Sequence, residues 1–378
     1  MFHKRYKIKE AEMILYLFLI IVGTSAACIV SPYGDGCLVP ELSDEFDTFN
    51  ISKWTHEVTM SGSGNGEFEM YVPDAANSFV QDGCLHIHPT YTIDWFQQSI
   101  CTNDSDAPVD WIYGCELSFD AQANKTIYDT NTPYPGVYPG QCTDRRDYGC
   151  ERRATAGNIL NPVVSARIHS NFSFLYGRLE VRAKLPVGNW LWPAIWLMPK
   201  DSVYGDWPRS GEIDVMESRG NPISYPPGGN NQFTSSLNWG PKWDKDEWKY
   251  THEVYLDKTN TLTDQWHIYG MKWTPTSLYT YIDNDTNHVL TVNMSVPLWE
   301  QFHLDGPNPW AGDGVNAPFN QPFYIILNTA IGGTNGYFPT TTNDWGNGGA
   351  SRFWANRHRW QSTWTQPDLL IDFVHVYQ

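Results

Sequence analysis

Polar and apolar residues alternate along much of this chain. Between positions 177 and 185, Leu179, Val181, Ala183 and Leu185 alternate with Arg178, Glu180, Arg182 and Lys184. A period of two predicts a strand with one face buried and the other wet. Similar runs lie at 85–89, 163–169, 234–239, 267–273, 279–283, 323–330 and 369–377, separated by Gly, Pro and Asn turns. Helical periodicity is scarce, apart from an expected turn at 352–359. Many short strands between such turns predict an all-β sandwich. Residues 91–153 break the pattern with four cysteines, several prolines and two Asn-x-Ser/Thr sequons. That stretch is expected to be a disulfide-pinned insertion beside the site, inside a single domain of residues 28–378.

The first 27 residues follow a different rule. His3, Lys4, Arg5, Lys7 and Lys9 are followed by ten apolar residues, Met13 to Val22, and then by Thr24-Ser25-Ala26-Ala27. A basic end, a short apolar run and a small-residue cleavage region are the signature of a secretory signal. Ten residues are too few to span a bilayer. A secreted, extracellular protein is expected, with no membrane partner once the signal is removed. Sequons at Asn50, Asn103, Asn124, Asn171, Asn284 and Asn293 are candidate glycosylation sites. Asn171 borders a predicted strand, which argues against its use.

Charge narrows the partners. Lys and Arg total 25 against 42 Asp and Glu, a net charge of −17. Such a surface repels nucleic acid and anionic membranes, and more weakly sulfated galactans. A neutral polysaccharide meets no such barrier. Of the seven cysteines, Cys142 with Cys150, Cys101 with Cys115 and Cys28 with Cys37 are close enough in sequence to pair, which leaves Cys84 over. No Cys/His cluster has zinc-ligand spacing. Asp283-Asn284-Asp285-Thr286-Asn287 has the start of a calcium loop but His288 where that loop needs Gly, so a hairpin turn is expected.

The chemistry concentrates at Gly211-Glu212-Ile213-Asp214-Val215-Met216-Glu217. In an extended strand Glu212 and Asp214 share a face and Glu217 lies opposite. One extra residue, a β-bulge near Val215-Met216, brings Glu217 back to their side. Tryptophans surround the motif: eleven of the 18 fall between Trp190 and Trp310. Carboxylates among tryptophans suit a carbohydrate site, because an indole offers a flat apolar face to a sugar ring. A paired acid and carboxylate is what glycoside hydrolysis needs.

The chain resembles the laminarinase-like members of glycoside hydrolase family sixteen, which include secreted endo-1,3-β-glucanases and β-1,3-glucan-recognition proteins. The likeness runs from about Glu41 to the end. It is carried by Asp44-Glu45-Phe46, Gly157-Asn158-Ile159-Leu160-Asn161-Pro162, Trp192-Pro193-Ala194-Ile195-Trp196, the Glu-x-Asp-x-x-Glu motif, Asn308-Pro309-Trp310-Ala311-Gly312 and Leu327-Asn328-Thr329 through Gly336. The resemblance implies a β-jelly roll of two curved antiparallel sheets with a concave cleft, and a monomer acting on neutral β-1,3-glucan. It implies Glu212 as nucleophile and Glu217 as acid/base. Asp214, as a third negative charge, would disfavour ionisation of a neighbour. Trp207, Trp192, Arg167, Asn65, Asn238 and Trp239 are the expected substrate contacts. Trp192 reads equally as buried core and Arg167 as an ion-pair residue. Asn238 stands where bacterial relatives usually carry His. No cofactor is expected for catalysis. One structural calcium is implied on the convex face, held by backbone oxygens of Glu45 and Gly83 and by the Asp372 side chain. A hydrogen-bonded Asp372 is the alternative.

Two other functions fit the same chain. A recognition protein without catalysis typically lacks one or more of the acids, and all three stand here. A transglycosylase on the same glucan would share every residue named above.

Overall fold

The computed structural model describes residues 28–95, 116–119, 142–154 and 159–378. The signal segment, Cys101, Cys115, Asn103, Asn124, Gly157 and Asn158 lie outside them. Two seven-stranded antiparallel sheets form a β-jelly-roll sandwich. The front sheet runs Trp54–His56, Arg167–Ser170, Phe323–Ile331, Leu191–Pro199, Glu212–Ser218, Gln232–Asn238, His252–Leu256. The back sheet runs His288–Asn293, Ser277–Ile282, His267–Trp273, Gly177–Lys184, Leu369–Tyr377, Cys84–Ile87, Ser78–Gln81.

Alternation explains the core. Leu179, Val181 and Ala183 of the back sheet point inward, and Ile195, Leu197, Ile213, Ile325 and Leu327 of the front sheet meet them. Each such Leu, Val or Ile side chain contributes roughly 1.5–3 kcal/mol by leaving water. A second, aromatic-rich core lies beside the first and contains Phe68, Trp190, Trp192, Phe338, Trp345 and Trp360. It explains why Leu191–Pro199 shows no clean alternation: at its start both faces are covered.

Several sequence expectations need correction. The 163–169 run is two strands, Val163–Ser165 in a small three-stranded sheet and Arg167–Ser170 in the front sheet. The expected helical turn is two short helices, Gly349–Ala355 and Arg357–Trp360. The face of Gly177–Lys184 expected to be wet is buried at Arg178 and Glu180. The segment closed by the Cys28–Cys37 disulfide covers it. Arg178 there donates to Asp35 (2.6 Å), Asp285 (3.1 Å) and the Tyr281 hydroxyl (2.6 Å), and Tyr281 donates to Glu180 (2.7 Å). Tyr33 stacks on the guanidinium at 4.3 Å.

The Cys142–Cys150 disulfide is also present, and Cys84 has no disulfide. Residues 283–287 make the expected turn between Ser277–Ile282 and His288–Asn293. Asn171 uses its amide nitrogen to hold the carbonyls of Ile51 and Ser52, the atom a glycan would occupy. On the back sheet, the Asp372 carboxylate is ion-paired to Arg182, and Glu45 bonds His375 at 2.6 Å. Among the described residues no group of three or more His, Cys, Asp or Glu is disposed to hold a metal. A guanidinium thus meets the Asp372 charge, the hydrogen-bonded alternative for this carboxylate.

The Arg178 cluster sets a stability prediction. Burial pushes the Asp35 carboxyl up, but bonds from Arg178, Ser31 and Lys272 outweigh it and hold the group well below the usual range. A depressed carboxyl stabilises the fold above its unfolded value of about 4 and loses that contribution as pH falls. Arg178→Met removes the buried cation that Asp35 and Asp285 share, although Lys272 still reaches Asp35 at 2.9 Å. It is expected to cost about 3–5 kcal/mol in denaturant unfolding at pH 7, with a smaller difference from the parent near pH 3. An unchanged midpoint at pH 7 would refute the assignment.

Candidate active site

The strand Glu212–Ser218 carries the acids, and its pairing contains the predicted bulge. Asp214 lies opposite Ser236 and Glu217 opposite Thr234, so Val215 and Met216 together face the single residue Ser235. The partner strand on the other side shows the same slip. Val215 and Met216 both fill the core, and Glu212, Asp214 and Glu217 all line the cleft.

Each acid has its own donors. Trp207 Nε1 donates to Glu212 Oε2 at 2.6 Å, and Asn238 Nδ2 bridges to Glu212 Oε1 (3.3 Å) and Asp214 Oδ2 (2.7 Å). Glu217 Oε1 accepts from Trp192 Nε1 at 2.9 Å. Burial, then the neighbouring charges, pushes Asp214 far up. A proton on Asp214 would bond Glu212 and favour that group's ionised form. Three carboxylates packed this closely cannot all ionise. Burial raises Glu212 and Glu217 to about 7. Glu212 accepts from Trp207 and Asn238 and Glu217 from Trp192 alone, a difference that favours charge on Glu212 and a proton on Glu217.

The cleft has a volume of about 550 Å³ and crosses four neighbouring strands of the front sheet, from Arg167–Ser170 to Glu212–Ser218. At about 4.8 Å per strand spacing those strands span roughly 14 Å. Trp207, 40% exposed, stands at the acid end. Trp196 forms the floor, with its indole N–H on Asn328 Oδ1 (2.7 Å). The Arg167 guanidinium sits 4.5 Å from the Trp196 ring centre, 3.1 Å from Glu57 and 2.6 Å from Ser63 Oγ. Arg167 is thus both an ion-pair residue and part of the cleft wall. Asn65 donates to Glu67 at 2.8 Å and accepts from Asn335 at 2.9 Å. Gly66 next to it has φ +62°, and a Cβ there would lie 2.2 Å from Thr334 Oγ1. Thr143, Asp144 and Arg146, on the loop closed by Cys142–Cys150, wall the far end. That part of the expected insertion does shape the cleft.

One expected contact fails. Trp239 is fully buried in the main core and donates to Thr251 Oγ1 at 2.9 Å. It follows Asn238 in the chain, so alternation turns it inward when Asn238 faces the cleft. Trp192 lines the cleft but is only 5% exposed, its ring lying flat on Tyr337. Glu67, Trp196, Tyr324 and Asn328 also line the cleft and were not singled out from sequence. Alternation from Trp192 to Trp196, and from Asn65 to Glu67, would have found two of them.

A jelly roll with a tryptophan-walled cleft and clustered carboxyls has the architecture of a glycoside hydrolase. Residues 147–308 match the family described as Glycosyl hydrolases family 16. The Beta-1,3-glucan-binding protein of Penaeus monodon is 37% identical, over 95% of this chain and 96% of that protein. The chain belongs to glycosyl hydrolase family 16. The Glucan endo-1,3-beta-glucosidase A1 of Niallia circulans is 29% identical over 77% of this chain, which spans only 33% of that enzyme. The endo-beta-1,3-glucanase of Pyrococcus furiosus shares the fold, with a TM-score of 0.55 at 21% identity over 93% of this chain and 97% of that one.

Burial separates the roles of two tryptophans. Trp239→Ala is expected to cost about 3–5 kcal/mol of unfolding free energy. Trp207→Ala, at an exposed position, is expected to cost less than about 1 kcal/mol. Equal losses in parallel denaturant titrations would contradict the core placement of Trp239.

Proposed function

We propose that this chain is a secreted, endo-acting hydrolase of β-1,3-glucan that works with retention through a covalent glycosyl-enzyme intermediate. The observation that carries the proposal is the bulged strand, which puts Glu212 and Glu217 on one face with opposite hydrogen-bond environments. Glu212 attacks the anomeric carbon as its C–O bond to the leaving sugar breaks. Glu217 gives its proton to the departing oxygen. Water then loses a proton to the Glu217 carboxylate and attacks the same carbon, which frees Glu212. Trp207, Asn238 and Asp214 orient Glu212. Trp196, Arg167 and Asn65 would meet the glucan along the cleft. The net charge of −17 is compatible with a neutral polymer. The N-terminal segment supports secretion.

The 37% identity to a protein named for glucan binding favours a second reading, recognition without turnover. Retention of all three acids, each with donors, argues for catalysis. Glu212→Gln and Glu217→Gln are each expected to reduce laminarin turnover by at least about 100-fold while the folded protein still binds the polymer. A variant that keeps a tenth of the parent activity would remove its residue from the mechanism. No turnover by the parent would favour recognition, and longer products in place of new reducing ends would favour transglycosylation. Stereochemistry supplies a separate check. Proton NMR in the first minutes of laminarin hydrolysis should show the β-anomer, and an initial α-anomer would overturn the two-step route.

A further inference from the structure

Behind Glu217 stands a stack that the reaction scheme does not use. Trp192, whose indole N–H holds Glu217 Oε1, lies flat against Tyr337: the ring centres are 3.8 Å apart and the planes differ by 7°. The guanidinium of Arg219 lies 3.9 Å from the centre of the same tyrosine ring. Arg219 also donates twice to the Tyr337 carbonyl, at 2.8 and 3.2 Å, and once to the Pro227 carbonyl at 3.3 Å. It follows Glu217 by two residues, one position past the end of the strand Glu212–Ser218. Arg219, Tyr337 and Trp192 therefore form a sequence of contacts that ends on the carboxyl proposed as acid/base.

We propose that Arg219 and Tyr337 are positioning residues for Glu217 and act through the Trp192 indole. The proposal rests on the retaining mechanism above. Tyr337 fixes the plane of Trp192, and so the direction of the N–H that leaves one Glu217 oxygen free to face the scissile bond. Arg219 fixes Tyr337 by its carbonyl and its ring, and adds a cation on the Glu217 side of the cleft. The other charged or titratable groups facing Glu217 are Glu212 and Asp214 on its own strand, Glu67 from across the cleft and the Tyr337 phenol. Burial raises Glu217, the Trp192 bond and the Arg219 cation lower it, and Glu67 raises it. Removing the cation therefore raises Glu217 further. The basic limb of kcat/KM, which reports loss of the Glu217 proton, then moves to higher pH.

The test uses Arg219→Met, Arg219→Lys and Tyr337→Leu in the full chain, with laminarin and a dinitrophenyl β-laminaribioside as substrates. The dinitrophenolate leaves without a proton, so its kcat/KM does not need the acid. Arg219→Met is expected to shift the basic limb up by at least about 0.3 pH unit and to lower kcat/KM on laminarin about 10-fold or more. On the dinitrophenyl substrate the loss should stay within about threefold. Arg219→Lys should keep the parent limb, and Tyr337→Leu should show the substrate contrast without the upward shift. Equal losses on both substrates with an unmoved limb would mean a merely structural role and would overturn the proposal, as would parent behaviour in both Arg219→Met and Tyr337→Leu. If Arg219→Met does not fold, Tyr337→Leu decides alone by the substrate contrast. A parent protein that cleaves neither substrate would instead refute the mechanism beneath it.

Discussion

Two residues of one strand, Val215 and Met216, stand against the single Ser235 of the next, and the site depends on that mismatch. A regular strand would turn Glu217 into the core, where an unpaired carboxyl costs several kcal/mol. The extra residue returns Glu217 to the face of Glu212 and gives both Val215 and Met216 to the apolar interior. The same step therefore assembles the acids and improves the packing beneath them. A bulge also increases local twist, which suits a curved sheet with a cleft across its face.

Packing fixes what the bulge assembles. The aromatic core beside the cleft holds Trp190, Phe338 and Trp345 edge to face, with ring centres 5.1–5.9 Å apart. Such contacts contribute about 0.5–1.5 kcal/mol each beyond burial. Trp192 grows out of this cluster, so its indole N–H meets Glu217 from a rigid base. On the cleft floor, Asn328 receives the Trp196 N–H and donates to Tyr71, which donates to Glu67. Polar groups in the cleft are thus ordered before any sugar arrives, which lowers the entropic cost of binding.

Much of this was legible in the sequence because it is local. A period of two gave most strands, and the spacing from Glu212 to Glu217 required the bulge. The Cys142–Cys150 and Cys28–Cys37 pairings followed from short separations. What escaped depends on distant partners. Arg178 reads as a wet strand residue until Asp35, 143 positions away, folds over it. Arg219 carries no local signal, because Tyr337 is 118 positions on. Trp239 looked like a sugar platform by composition, yet the alternation that put Asn238 in the cleft already assigned its neighbour to the core.

The Cys28–Cys37 segment covers more than Arg178. The Cys37 amide donates to the Gln378 carbonyl at 2.9 Å, and the Gln378 amide returns a bond to Cys37 at 3.0 Å. Gln378 follows the back-sheet strand Leu369–Tyr377, and the acids lie on the front sheet. A tether, dye or second module attached at Gln378 would leave from the sheet that does not carry the acids. The chain could be held on a surface with its cleft still open to a polymer in solution.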